Sequence, residues 1–326
     1  MKHVSILLTR GDTILSSVLG PFKIFSQVNK ILKDNGAETP YYDIQFVGLD
    51  STNRYYGEQF TVEADKLISE VRNTDLVIIP AVMGDIAEAI TVNAPFYPWI
   101  IDMHNKGSEI ASFCLGAFLL GQTGLVDGKK CSTHWMGSNQ FRAMYPKVEL
   151  VSESIVTDDK NICSSGGAYS FLNLLLYLVE KFNGKEIAVL CSKIFEIEFN
   201  RSNQGLFSIF IGQKNHEDKA IIRAQDYIER HYEQKITVSE LADYVAISPR
   251  NFVRRFKRAT SNTPIEYIQR VKIEAAKKIL ESSNLNIKEV MYDVGYTDNK
   301  SFRTLFKRHT GFSPLEYKNK YSRISA

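Results

Sequence analysis

The chain has 326 residues, 44% of them hydrophobic and 24% charged, with a formal net charge of +3 at pH 7. That length predicts two domains, and no run approaches the roughly 18 apolar residues needed to cross a bilayer, which excludes a membrane-spanning role. Cys114, Cys131, Cys163 and Cys191 lack both zinc-ligand and disulfide-framework spacing, and the amino terminus has no signal-peptide pattern. A cytoplasmic protein with reduced thiols, no metal and no cofactor is therefore expected.

The charge is divided along the chain. From Asp218 to Ala326 there are 21 lysines and arginines against 13 acidic residues, a net of +8, and Met1 to Glu217 has 19 against 24, a net of −5. The basic third is the part suited to a polyanion.

Val4–Thr9 is a short apolar β-run, and Asp12–Phe25 has helical periodicity through Ile14, Val18, Phe22 and Phe25. Tyr42–Gly48 reads as a strand, and Leu76–Pro80 as a fully buried one. A helix is expected over Trp99–Lys106, a strand over Glu109–Phe113, and a helix over Phe118–Gln122. Beyond Ser154-Ile155-Val156 come a glycine turn at Ser164–Ala168, an apolar helix from Tyr169 to about Phe182, and a helix over Lys185–Phe195. Strands alternating with helices at this spacing predict an α/β domain, a doubly wound parallel sheet of flavodoxin-like type, over residues 1–195. Residues 196–217 read as a linker, although Leu206, Phe207, Ile209 and Phe210 suggest that it docks.

Ser112-Phe113-Cys114-Leu115-Gly116 has the form of a nucleophile elbow, in which a sharp strand-to-helix turn lifts a side chain to the sheet's carboxyl edge. Doubly wound folds bind ligands at that edge. Asp12, Met83, Gly84, Cys114, Leu115, His134, Trp135 and Gly166 are accordingly the candidates for an effector pocket, with Trp135 placed equally well in the core.

Residues 218–326 contain one pattern twice. Adding 50 to the numbers of Phe252, Phe256, Lys257, Arg258, Thr260, Pro264, Glu266 and Tyr267 gives Phe302, Phe306, Lys307, Arg308, Thr310, Pro314, Glu316 and Tyr317. Upstream the offset is 49, pairing Val238 with Ile287, Glu240 with Glu289 and Val245 with Val294. Each copy predicts helix, tight turn, helix, with Thr237 and Glu240 as a capping box and Ser248-Pro249 opening a second helix. Pro264 to about Ser282 predicts one long connecting helix with Ile265, Ile268, Val271, Ala275, Ile279 and Leu280 buried. The whole reads as an all-α double helix-turn-helix.

The run Val294-Gly295-Tyr296, Ser301-Phe302, Phe306-Lys307, Thr310-Gly311-Phe312-Ser313-Pro314 and Tyr317 resembles the signature of the AraC/XylS family of bacterial transcription regulators. That resemblance implies sequence-specific binding to double-stranded DNA and a contact with the transcription machinery. By it, Arg250, Val253 and Arg254, and in the second copy Asn299, Lys300, Arg303 and Thr304, approach the bases, Asn299 having phosphate as its alternative, and Asn251 is a further DNA-binding residue. Lys257 and Lys307 are read as phosphate contacts or solvated charges.

Together with Gly124–Gly128 and Thr133-His134-Trp135, the elbow makes residues 1 to about 190 resemble the PfpI-type, class I glutamine-amidotransferase-like domain found in GlxA-like regulators. Hydrolytic relatives carry histidine after the cysteine, where Leu115 stands here, and reactive members use a glutamate after the first strand, where Gly11 and Asp12 stand. The resemblance therefore implies no enzyme, but a vestigial Cys114 in a pocket for an unknown small-molecule effector, and self-association as a homodimer. The alternatives are an amidase- or deglycase-like enzyme using Cys114, or a redox sensor, which needs an accessible thiol of depressed pKa.

Overall fold

The computed structural model of the chain describes residues 1–199, 204, 207, 209–210, 212–214 and 216–322. They fall into two compact units, Met1–Gln204 and Gly205–Ala326.

The first unit begins with β1 (Lys2–Leu8), α1 (Leu15–Asp34), β2 (Tyr42–Gly48), β3 (Thr52–Tyr55), β4 (Phe60–Glu63) and β5 (Lys66–Leu67). It continues with β6 (Leu76–Ile79), α2 (Ile86–Val92), α3 (Phe96–Asn105), β7 (Glu109–Phe113), α4 (Ala117–Gln122), β8 (Lys130–Cys131) and α5 (Ser138–Met144). It ends with β9 (Glu149–Leu150), β10 (Val156–Asp159), β11 (Ile162–Ser165), α6 (Phe171–Asn183) and α7 (Lys185–Ile194). Seven strands form the main sheet in the order β10-β11-β7-β6-β1-β2-β5. Side chains alternate along each central strand, so each strand supplies two cores. Val4, Ile6, Leu76, Ile78, Ala111 and Phe113 face α1, α6 and α7, while Leu7, Val77, Ile79 and Ile110 face α2 to α5.

Several elements differ from the sequence expectation. The sheet is parallel except at one edge, where β10 runs antiparallel to β11. The two join through Lys160 and Asn161, both at positive φ (52° and 63°), the backbone of a tight hairpin turn. Ser164 and Ser165, expected in a glycine turn, close β11 instead. The first helix starts three residues later and runs on to Asp34, because Val28 and Ile31 continue its buried stripe. The hairpin of β3 and β4 has no counterpart in the sequence expectation; the Tyr55 hydroxyl docks it by donating to the Thr9 carbonyl (3.1 Å).

The second unit contains α8 (Lys219–Arg230), α9 (Val238–Tyr244), α10 (Pro249–Thr260), α11 (Pro264–Ser282), α12 (Ile287–Asp293), α13 (Asn299–Thr310) and α14 (Pro314–Tyr321). The sequence repeat is repeated packing. Phe252, Phe256 and Tyr267 form one aromatic chain with centroids 5.5 and 5.3 Å apart, and Phe302, Phe306 and Tyr317 form another at 5.8 and 5.4 Å. Tyr267, Ile268 and Val271 of α11 belong to the first core and Ile273, Ala276 and Leu280 to the second. One helix thus serves both halves, and this corrects its expected face. Ile265 is 56% exposed, whereas Tyr267, Lys272 and Lys277 are buried. Capping boxes open α9, α11, α12 and α14, while the Ser248 hydroxyl, expected to cap α10, makes no capping bond.

The stretch expected as a linker is shared out. Gln204 belongs to the first unit, Phe210 packs on Tyr267 in the second (5.0 Å), and Leu206 lies outside the described residues. At the elbow, a Cβ on Gly116 would meet the Pro80 carbonyl oxygen at 2.3 Å. Only glycine lets α4 begin that close to β6, so Gly116→Ala is expected to destabilise the first unit by about 1–3 kcal/mol, measured as a lower urea midpoint.

Candidate functional site

The carboxyl ends of the parallel strands gather most of the expected pocket residues into two groups. At β1 and β6, the Met83 amide donates to the Asp12 carbonyl (2.9 Å), and a Cβ on Gly84 would lie 3.0 Å from an Asp12 carboxylate oxygen. All three residues are exposed. At β7 and β11, Cys114 has φ +54°, the left-handed backbone expected of an elbow. The Thr133 hydroxyl donates to the Cys114 carbonyl (2.8 Å), which brings the Thr-His-Trp stretch over the elbow. Leu115 packs at Gly137, two residues beyond Trp135. His134 and Trp135 are half-buried, their rings 5.4 Å apart.

This arrangement determines the state of the thiol. Cys114 is 2% exposed, and burial pushes its pKa up to about 12, with the Leu115 amide as a weaker opposing influence. His134 accepts the Met136 amide at its Nδ1 (3.1 Å), and burial lowers its pKa. Among the described residues no hydrogen bond joins the Cys114 thiol to a histidine or a carboxylate. The thiol is thus protonated at neutral pH, opposite to what the redox-sensor reading requires.

Gln204 was missed by the sequence reading because it sits in a polar stretch with no periodicity. It is 1% exposed. Its carboxamide nitrogen donates to the carbonyls of Thr133 (3.0 Å), Ser152 (2.7 Å) and Ser154 (3.3 Å), and its carboxamide oxygen accepts the Gly167 amide (2.6 Å). A Cβ on Gly166 would fall 2.4 Å from that carboxamide, so Gly166 is a glycine because glutamine fills the space beside it.

Ligand atoms of Glu109, Asp158 and Cys163 come within 4.8 Å of one another at the opposite end of the sheet. The Lys181 ammonium already bonds both carboxylates, at 2.8 Å for Asp158, so an internal cation occupies the centre of this group.

In the second unit, α9–α10 and α12–α13 are the two helix-turn-helix pairs. The register places Ala246 (φ +57°) and Gly295 (φ +72°) at the same turn position. Of the residues expected at DNA, Arg250, Arg254, Lys257, Asn299, Lys300, Arg303, Thr304 and Lys307 are exposed, while Asn251 and Val253 are half-buried. Each array has an asparagine holding an arginine: Arg254 donates to Asn251 Oδ1 (3.0 Å) and Arg303 to Asn299 Oδ1 (2.9 Å). Arg255 instead makes a two-pronged salt bridge to Asp218 (2.9 and 2.6 Å). Between the halves, the Lys272 ammonium donates to the carbonyls of Tyr232, Gln234 (3.0 Å) and Val294 (2.9 Å). It is 5% exposed, and burial lowers its pKa.

Residues 21–181 match the model of the DJ-1/PfpI family, and residues 241–320 match that of a helix-turn-helix domain. The chain joins a DJ-1/PfpI-family domain to an AraC-type helix-turn-helix domain. Among its relatives is the HTH-type transcriptional regulator GbdR of Pseudomonas aeruginosa, 23% identical over 321 residues, covering 97% of this chain and 83% of that one. The regulator CdhR of the same organism is 22% identical over 257 residues, covering 78% and 75%. The bifunctional transcriptional activator/DNA repair enzyme AdaA of Bacillus subtilis is 38% identical over 93 residues, 28% of this chain and 44% of that protein. Two solved structures share the fold. An AraC family transcriptional regulator from Pseudomonas putida has a TM-score of 0.50 at 17% identity, covering 60% of this chain and all of that one. A THiJ/PfpI family protein from Pseudomonas syringae has a TM-score of 0.51 at 16% identity, covering 75% and 90%.

Two outcomes are expected of these domains. In the DJ-1/PfpI domain the folded state keeps a Cys114 proton that an unfolded thiol releases above about pH 8.5. This contribution to stability is whole below that pH and is lost as pH rises towards about 12. Iodoacetamide at pH 8.5 should label Cys114 at least tenfold more slowly in native than in urea-unfolded protein, followed by mass spectrometry. In the helix-turn-helix domain, Lys272→Met leaves three buried carbonyls without their donor, and a loss of about 2–4 kcal/mol is expected in denaturant titrations that follow this unit.

Proposed function

We propose that the protein is a transcriptional regulator that binds duplex DNA through its second unit and is controlled by a small-molecule effector in its first. The observation that carries this reading is the duplicated helix-turn-helix, with exposed basic residues on the second helix of each pair. Arg250, Arg254, Lys300, Arg303 and Thr304 read base edges, Lys257 and Lys307 hold phosphate, and Asn251 and Asn299 orient the arginines beside them. An arginine already bonded on one side keeps the rest of its fork for a guanine. The connecting helix α11, 19 residues long, spans about 28 Å, a spacing suited to successive major grooves on one face of the duplex. Asp12, Met83, Gly84, Cys114, Leu115, His134, Trp135 and Gly166 border the effector site. The effector acts only so far as it binds two states of the protein unequally. The protein works in the cytoplasm, as a homodimer in contact with the transcription machinery.

A second reading, hydrolysis by Cys114, is favoured by one feature, the left-handed backbone at the elbow. Its raised thiol pKa counts against that reading.

The test of the first reading is selection of bound sequences from random duplex DNA by the full-length protein. Two short conserved blocks about one helical turn apart are expected. Arg254→Ala and Arg303→Ala should each weaken binding to the selected site by about 1–3 kcal/mol and relax one block only. Retention of DNA without sequence enrichment, abolished by moderate salt, would sink the proposal.

A further inference from the structure

A glutamine that is 1% exposed, in a stretch otherwise read as a polar linker, calls for an account. All four partners of its carboxamide are main-chain atoms: three carbonyl oxygens, from Thr133, Ser152 and Ser154, and the Gly167 N–H. The geometry is complementary to one functional group. A primary carboxamide offers two N–H donors to the carbonyls and one acceptor oxygen to the amide. A carboxylate of the same shape has no donor and would set its charge against three carbonyl oxygens. Gly166 and Gly167 leave the room: a Cβ would lie 2.4 Å from the carboxamide at the first and 3.3 Å from its oxygen at the second. The His134 ring, a candidate pocket residue, borders the same place, 3.8 Å from where a Gly167 Cβ would be. The cage therefore adjoins the strand-end site, and its present occupant is a side chain of the protein itself. Gln204 is also the last residue of the first unit, so the chain continues from the cage into the DNA-binding unit.

We propose that this cage is the effector subsite, that it takes a ligand bearing a primary carboxamide, and that the ligand acts by displacing Gln204. This rests on the regulator reading above. Gln204 is a tethered competitor. A group on the same chain meets its site at an effective concentration on the order of millimolar, so the free ligand must bind well enough to exceed that. Displacement leaves Gln204 held to the first unit only by its main-chain N–H, which donates to the Glu153 carbonyl (2.8 Å), and so loosens the chain that leads to the second unit; this is the unequal binding of two states that control requires.

Propionamide, the glutamine side chain cut free, tests this on the full-length protein, with propionate as the control. Isothermal titration should find propionamide bound at least tenfold more tightly by Gln204→Ala than by the unaltered protein, and propionate bound by neither. On DNA selected as above, Gln204→Ala should differ from the unaltered protein at least fivefold in affinity and no longer respond to propionamide. In the unaltered protein, high propionamide should shift affinity in the same direction. Gly166→Ala, whose methyl would occupy the carboxamide's place, should reproduce the DNA shift and bind no propionamide. Gln204→Glu keeps the side chain's shape and serves if the alanine variant does not fold. Equal or absent propionamide binding in folded Gln204→Ala overturns the subsite. A changed amide affinity with unchanged DNA affinity in both variants overturns the switch and leaves Gln204 an anchor. Absence of DNA binding in every form would strike the regulator reading instead, and the amide titration would still decide the cage.

Discussion

The second unit depends on where one positive charge is buried. Lys272 lies at the midpoint of α11, where the helix passes from the first aromatic core to the second. Its ammonium takes carbonyls from the α8–α9 connection and from the end of α12. Gly295 answers it: a Cβ there would strike the Glu233 carbonyl oxygen at 2.1 Å and the Lys272 nitrogen at 2.6 Å. Two helix pairs that share only a connecting helix could rock about it. A buried cation without a carboxylate partner among its bonds is costly unless its carbonyls stay in place. The interaction thus converts a flexible tandem into one piece, and any reading of paired DNA blocks inherits its rigidity.

What the sequence disclosed follows from which interactions are periodic. Phe252, Phe256 and Tyr267 could be matched to Phe302, Phe306 and Tyr317 because each set packs only on its own half, so duplication preserved both. The strands Tyr42–Gly48 and Glu109–Phe113 are legible to the residue, the first from alternating apolar and polar residues along a half-buried strand, the second from a short run buried on both faces. The antiparallel edge was not, because its turn uses Lys160, a residue that does not advertise a positive φ. The burial of Lys272 is not legible, since lysine at an inward position signals nothing until three carbonyls converge on it.

The candidate site divides along the same line. The sharp turn at Cys114 is legible in the residues around it, and so is the place of His134 and Gly166 near the sheet's carboxyl edge, whereas the left-handed backbone of Cys114 belongs to the fold. The state of the thiol was not foreseeable, because pKa follows burial and the nearest charges, and both belong to the fold. Gln204 was invisible for a plainer reason. Its partners lie from 37 to 71 residues away and are main-chain atoms, which leave no trace in residue type.

The duplication is faithful inside and unfaithful outside. At positions 50 apart the buried phenylalanines are identical, yet Arg250, Val253 and Arg254 stand opposite Lys300, Arg303 and Thr304. A near-symmetric frame therefore presents two unlike faces. Turned end for end on a duplex, a single chain would set its first face where its second belongs, and the contacts would no longer agree. Under the reading proposed above, the site of each single chain has a polarity, like a word that is not a palindrome. The strand on which that word is written would then fix which way that chain points along the duplex.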